Sequence, residues 1–171
     1  MRSRGARTRY ARGMKQSAGL LMYRLVADGS LEVLLGHPGG PLWRNRDEGA
    51  WTLPKGGYEP PEEPLAAAVR EFTEETGHVP DPPFLPLGEV RQKSGKRVQA
   101  WAFEGALEPS RLVSAPFEME WPPRSGRMQR FPELDRVAWF TLQQARNKLI
   151  AAQTPLLDRL ESLPGSIVGR S

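Results

Sequence analysis

Proline at 64 and glycine at 77 bracket the stretch PLAAAVREFTEET, whose ends suit the two ends of a single helix. Proline is tolerated at the first helical position because its missing N–H has no intrahelical partner there, and glycine is the usual left-handed residue just past a C-terminus. The spacing predicts a helix over 64–76. At 3.6 residues per turn, Leu65, Ala68, Val69 and Phe72 share one face while Glu71, Glu74 and Glu75 share the other. Such a helix packs by one side, so the remainder of the chain has to supply a surface that covers it.

The acidic side is unfavourable by itself. Like charges three and four residues apart repel by roughly 0.2–0.5 kcal/mol per pair, and carboxylates in the last turns oppose the helix dipole. Arg70 reaches Glu74 one turn on, but one arginine cannot balance Glu62, Glu71, Glu74 and Glu75. A charge run is ordinarily a solvated helix face. The alternative is a bound hard cation, which takes oxygen ligands of this kind. These residues read as a magnesium site, with manganese as the alternative ion.

The pattern is longer than the helix. Gly56, Glu62 six residues on, Arg70-Glu71, the apolar Phe72, Glu74-Glu75 and Gly77 together resemble the signature box of the Nudix hydrolases, at nearly every specified position. The departure is His78, where that family usually carries an aliphatic residue, and Val79 beside it is expected to take over the packing. The resemblance implies an α/β fold, a Nudix-type α/β/α sandwich with a mixed β-sheet, over residues 15–161. Periodicity alone supports only mixed α and β. The resemblance also implies cleavage of a pyrophosphate bond in a nucleoside diphosphate linked to another moiety. Glu71, Glu74 and Glu75 are then the metal ligands, Arg70 orients the acidic row, Gly56 shapes the loop and Glu62 supports it. The general base is either a box glutamate or an acid from a distal loop, for which Glu120 or Glu118 are the candidates.

Ahead of the box, Trp51-Thr52-Leu53-Pro54-Lys55-Gly56 is limited by its proline to a short edge strand. Gly56 and Gly57 let backbone approach a ligand closely, and Lys55 is placed for phosphate. Within the resemblance, tryptophan before Pro-Lys-Gly looks like the diadenosine-polyphosphate and diphosphoinositol branches. The first expectation for substrate is therefore a dinucleoside polyphosphate such as diadenosine tetraphosphate. The alternatives are an RNA 5′-end pyrophosphohydrolase, a hydrolase of nucleoside triphosphates or ADP-ribose, and a nucleotide-binding module without turnover, whose usual sign, loss of box glutamates, is absent here.

The 171 residues suffice for one domain with a real core. There is no cysteine, which excludes disulfides and thiolate metal sites and makes a cytoplasmic location the simplest one. No apolar run has the length of a membrane span. The net charge of +4 hides an asymmetry: Arg2, Arg4, Arg7, Arg9, Arg12 and Lys15 are six cations with no acid among the first fifteen residues, which leaves the body at −2. Residues 1–14 read as a basic disordered tail, the route by which nucleic acid could be held, or as a targeting leader, with Met14 as an alternative start. The expected partner is a small-molecule nucleotide, with no membrane and no obligate protein partner.

Along the chain, 17–24 and 31–36 read as a hairpin about Ala27-Asp28-Gly29-Ser30, and 42–50 as a polar loop. That loop carries Trp43 and Arg44 as substrate-binding candidates, Trp43 being either a loop anchor or a base-stacking ring. Strands are expected at 88–92, 97–103 and 135–140, and 110–130 as an irregular lid with Arg124, Arg127 and Arg130. Thr141 and Gln144 have the spacing of a capping box that starts a helix through Ile150, a last helical turn follows Pro155, and 162–171 should fray.

Overall fold

A computed structural model describes residues 7–8 and 16–164. Its elements are β1 (Arg7–Thr8), β2 (Gln16–Leu25), β3 (Leu31–Pro38), β4 (Lys55–Gly57), α1 (Pro64–Thr76), β5 (Leu85–Arg91), β6 (Arg97–Glu104), β7 (Pro116–Glu120), β8 (Met128–Pro132), β9 (Leu134–Thr141), α2 (Leu142–Lys148) and α3 (Pro155–Glu161). The main sheet runs β5-β6-β2-β3-β9, with β4 added against the start of β2. It is mixed, because β2 and β6 are parallel while the other pairs are antiparallel.

Period-two alternation along the central strands explains why both faces are covered. Ala18, Leu20 and Met22 of β2 point with Trp101 and Phe103 of β6 towards Ala67, Ala68 and Phe72 of α1. Leu21 and Tyr23, with Val98, Ala100 and Ala102, point the other way, into a second core closed by Ala145, Leu149, Leu156, Leu157 and Leu160 from the C-terminal helices. The result is the α/β/α sandwich. Phe72 and Phe103 meet edge to face at 5.1 Å in the first of these cores.

The ends of α1 form as their residues require. Pro64 occupies the first turn, and Gly77, at φ 79°, donates its N–H to the Thr73 carbonyl. The apolar stripe is rotated from the sequence expectation: Ala67, Ala68 and Phe72 are buried, while Leu65 and Val69 are only partly covered. Glu71 and Glu75 are buried as well, at 2% and 8% exposure, so the acidic side is not a solvated face. The exit also differs. His78 packs edge-on against Phe72 at 6.2 Å, and Val79, expected to fill that place, is 66% exposed. An imidazole edge can serve where an aliphatic group was expected.

Segment 110–130 is not irregular. It contains most of the β7–β8 hairpin, which carries β1 on its other edge in a separate three-stranded sheet, with Arg7 opposite Phe117. Phe117 is fully buried; it meets Phe131 across the hairpin, and its ring also lies against Gly40, which ties the hairpin to the loop after β3. Within the expected tail, Arg7–Thr8 thus form a short strand; the rest of 1–14 lies outside the described residues, as do 165–171. Thr141 forms the expected capping box with Gln144, although α2 stops at Lys148. Among the described residues no helix is long and apolar enough to cross a membrane.

The loop after β3 is held from below. His37 is fully buried, with Nδ1 2.9 Å from the Asp135 carboxylate and Nε2 2.6 Å from the Arg46 carbonyl. Each ring nitrogen thus faces an oxygen, one from a side chain and one from the backbone. This clamp ties the loop bearing Trp43 to β9.

Candidate active site

Gly56 sits so close to α1 that a Cβ there would collide with the Glu71 carboxylate. Only glycine lets β4 lie this near the helix, and the contact is what buries Glu71. Gly56→Ala is therefore expected to displace Glu71 and cut turnover by at least about tenfold, with circular dichroism close to native but a lowered melting temperature because the buried carboxylate is overpacked; full activity in this variant would show that the contact is incidental.

Arg70 gathers the remaining carboxylates. Its Nε and Nη2 each donate to Glu62 at 2.7 Å in a fork, and Nη1 donates to Glu71 at 2.7 Å and more weakly to Glu74 at 3.4 Å. The side chain is 21% exposed, so these are partly desolvated, charge-assisted bonds, and its partners push the guanidinium pKa further up. Glu75 points elsewhere. It accepts from the Lys55 N–H at 3.2 Å, and burial first, then the charges of Glu133 and Glu71, hold its carboxyl well above the ordinary range, against the opposing pull of Lys55.

Lys55, Gly56, Gly57, Arg70, Glu71 and Glu75 line one cavity of about 1010 Å³. Trp43 lines it from the loop after β3 and also packs against the second core, as a loop anchor does. Arg44 is exposed and off the lining. Glu74 is also off the lining, with its carboxylate directed to Arg70. Glu120 is exposed near the far end of the β7–β8 hairpin and Glu118 pairs across from Arg130, so neither stands at the cavity. The distal acid that does is Glu133, between β8 and β9, a position the sequence reading passed over. Its backbone explains why it is placed there: its N–H donates to Ala115 and its carbonyl accepts from Gly39. Nothing local to Pro132-Glu133-Leu134 signals that role.

Among the described residues, no three acidic or imidazole side chains stand together as a ready-made metal cage. The donor chemistry nevertheless fits a hard divalent cation. Glu75 is a buried carboxylate whose strongest neighbours are two further carboxylates, and a cation supplies the charge they lack. Magnesium in particular binds through one or two carboxylates together with substrate phosphates and needs no complete protein cage.

Over 57 residues the chain is 40% identical to an RNA pyrophosphohydrolase of Roseobacter denitrificans, a match that spans 33% of this chain and only 32% of the relative. The C. elegans Ap4A hydrolase, in a binary complex, superposes with a TM-score of 0.57 at 23% identity, over 88% of this chain and 98% of that one. RenU, a Nudix hydrolase of M. smegmatis, does so with a TM-score of 0.56 at 24% identity, over 91% of this chain and 89% of that one. At these identities the structures speak for the fold. The model of the NUDIX domain matches residues 20–160, and the chain belongs to that family.

Proposed function

We propose that this chain is a divalent-metal-dependent pyrophosphohydrolase that cleaves a phosphoanhydride bond in a nucleotide joined to a second moiety, with dinucleoside polyphosphates such as diadenosine tetraphosphate as first substrates. The observation that carries this reading is the convergence of Glu71, Glu75 and Glu133 on one cavity that also exposes Lys55 and the Gly56-Gly57 backbone. Surplus negative charge beside a lysine and a glycine loop suits a polyanion that arrives with its own cation.

In this reading Glu71 and Glu75 hold magnesium, or manganese in its place, and Arg70 keeps Glu71 in position, while Glu74, expected as a third ligand, stays paired with Arg70 off the cavity. When bound, such an ion neutralises phosphate oxygens and lowers the pKa of a water. Lys55 meets a phosphate oxygen, the Gly56-Gly57 backbone lies under the phosphate chain, and Trp43 offers a ring face to a base. Glu133, in place of Glu120 or Glu118, is the distal acid that accepts the proton, with a box glutamate as the alternative base. Glu133→Gln is expected to lower kcat by about 10²–10⁴-fold, the range of general-base catalysis, and Glu120→Gln by less than about twofold. Equal effects of the two would return the base to the box.

The test is phosphate release, coupled to a phosphatase, from diadenosine tetraphosphate, nucleoside triphosphates, ADP-ribose, diphosphoinositol phosphates and RNA with a 5′-triphosphate, each with magnesium and with chelator. Metal-dependent turnover of the dinucleoside polyphosphate is the expected result. The RNA arm is included because the 40% identical stretch lies in an RNA pyrophosphohydrolase. Binding of nucleotides without turnover of any would replace the enzyme reading by that of a binding module.

A further inference from the structure

Arg91 and Arg97 stand directly opposite each other in the β5–β6 ladder, so both side chains leave the same face at the end of the hairpin. Opposed like charges destabilise an antiparallel pair. The turn between them adds Lys93 and Lys96, which makes four cations in the seven residues 91–97 with no acid. Among the described residues Arg97 faces Glu89 at 3.7 Å, with both side chains half exposed, a weak and solvent-screened interaction. The hairpin does not need these charges to form. Gly95 at φ 85° and a 2.8 Å bond from the Gln92 N–H to the Lys96 carbonyl close the turn through backbone alone.

The turn is also a wall shared by two spaces. Gln92 and Lys96 line the large cavity, while Arg91, Gly95 and Arg97, with Gln16 of β2, line a depression of about 310 Å³. We propose that the β5–β6 turn is a second anion subsite, which takes the phosphates of a substrate that lie beyond the scissile anhydride. The proposal rests on the hydrolase reading above. Lys96 and Gln92 meet the chain as it leaves the cavity, and the guanidinium forks of Arg91 and Arg97, suited to paired phosphate oxygens, hold the next groups, with the Gln16 amide as a neutral donor. The ligand chemistry is a run of consecutive phosphates. It has two sources: the bridge of a dinucleoside polyphosphate, or the 5′ end of an RNA with its first phosphodiesters.

The experiment is calorimetric titration of the full chain with inorganic tripolyphosphate in chelator, for the native protein and for Arg91→Gln/Arg97→Gln. The expected result is an affinity about tenfold weaker in the variant, with the slope against log salt reduced by up to about two. Unchanged affinity and slope overturn the subsite. If that variant does not fold, Arg91→Gln alone, altering one exposed side chain of the pair, carries the same test with about half the change in slope. No turnover is needed, so tripolyphosphate binding that depends on these residues in a chain that hydrolyses nothing would overturn the hydrolase reading and leave the subsite standing. The source is then read from kcat/KM of the double variant on diadenosine tetraphosphate and on RNA with a 5′-triphosphate. A loss on either or both supports the subsite and names its source, and a loss on neither overturns it.

Discussion

Glu75→Gln is expected to lower turnover by roughly 10³-fold or more while leaving the metal-free protein at least as stable as the native chain at neutral pH. The two halves of this result have one cause. Glu75 is 8% exposed, its carboxyl is held above the ordinary range by burial and by Glu133 and Glu71, and glutamine keeps its shape without its charge. A carboxyl whose pKa is higher folded than unfolded binds more protons in the folded state. Its contribution to stability is therefore complete below the unfolded value, near the ordinary 4.5, and declines as pH rises from there towards the raised folded value. Thermal melts in chelator from pH 4 to pH 8 should show native stability falling relative to the variant along this series. Magnesium should raise the native melting temperature, most at the alkaline end, and the variant's far less. Turnover within tenfold of native, or a variant less stable than native at pH 8, would sink the assignment.

Arg70→Ala should be the most destabilising single change in the site. Its guanidinium contacts Glu62, Glu71 and Glu74, and Glu71 has a side chain only 3% exposed. Exposed ion pairs contribute at most about 1 kcal/mol, whereas removing one partner of a buried pair costs about 3–5 kcal/mol because the other charge is stranded. With Glu71 buried and Arg70 partly so, the lower end applies, about 3 kcal/mol, or a fall in melting temperature of roughly 6–12 °C for a domain of this size. Arg70→Lys should recover only part of it, since an ammonium cannot fork to both Glu62 oxygens while reaching Glu71. Differential scanning calorimetry in chelator is the direct check, and a fall under 3 °C would mean that Glu71 reaches water once the arginine is gone.

What could be read from residues alone was local or periodic. Pro64 and Gly77 determine the ends of α1 because proline and glycine limit backbone angles without help from elsewhere. The Thr141–Gln144 box, the turn at 27–30 and the two-faced apolar strand at 98–103 are likewise properties of a few neighbouring residues. The β7–β8 hairpin is hard to read although Phe117-Glu118-Met119-Glu120-Trp121 alternates, because Pro116, Pro122, Pro123 and Pro132 stand at its strand ends and proline ordinarily signals a break.

The identity of the acidic row, and of the family to which it belongs, was thus determined by the sequence through spacing along one helix. Which of those acids are buried, and which distal acid joins them, was decided only by the tertiary structure. A helical wheel places Glu71 and Glu75 on a common side but cannot know that the Gly56 backbone covers one and Lys55 binds the other. Glu133 is brought to them from 58 positions beyond Glu75 by backbone bonds to Ala115 and Gly39, residues equally silent in the linear pattern. Burial and electrostatic coupling depend on distance through space, and for these carboxylates that distance exists only once the sheet, the helix and the hairpin have packed together.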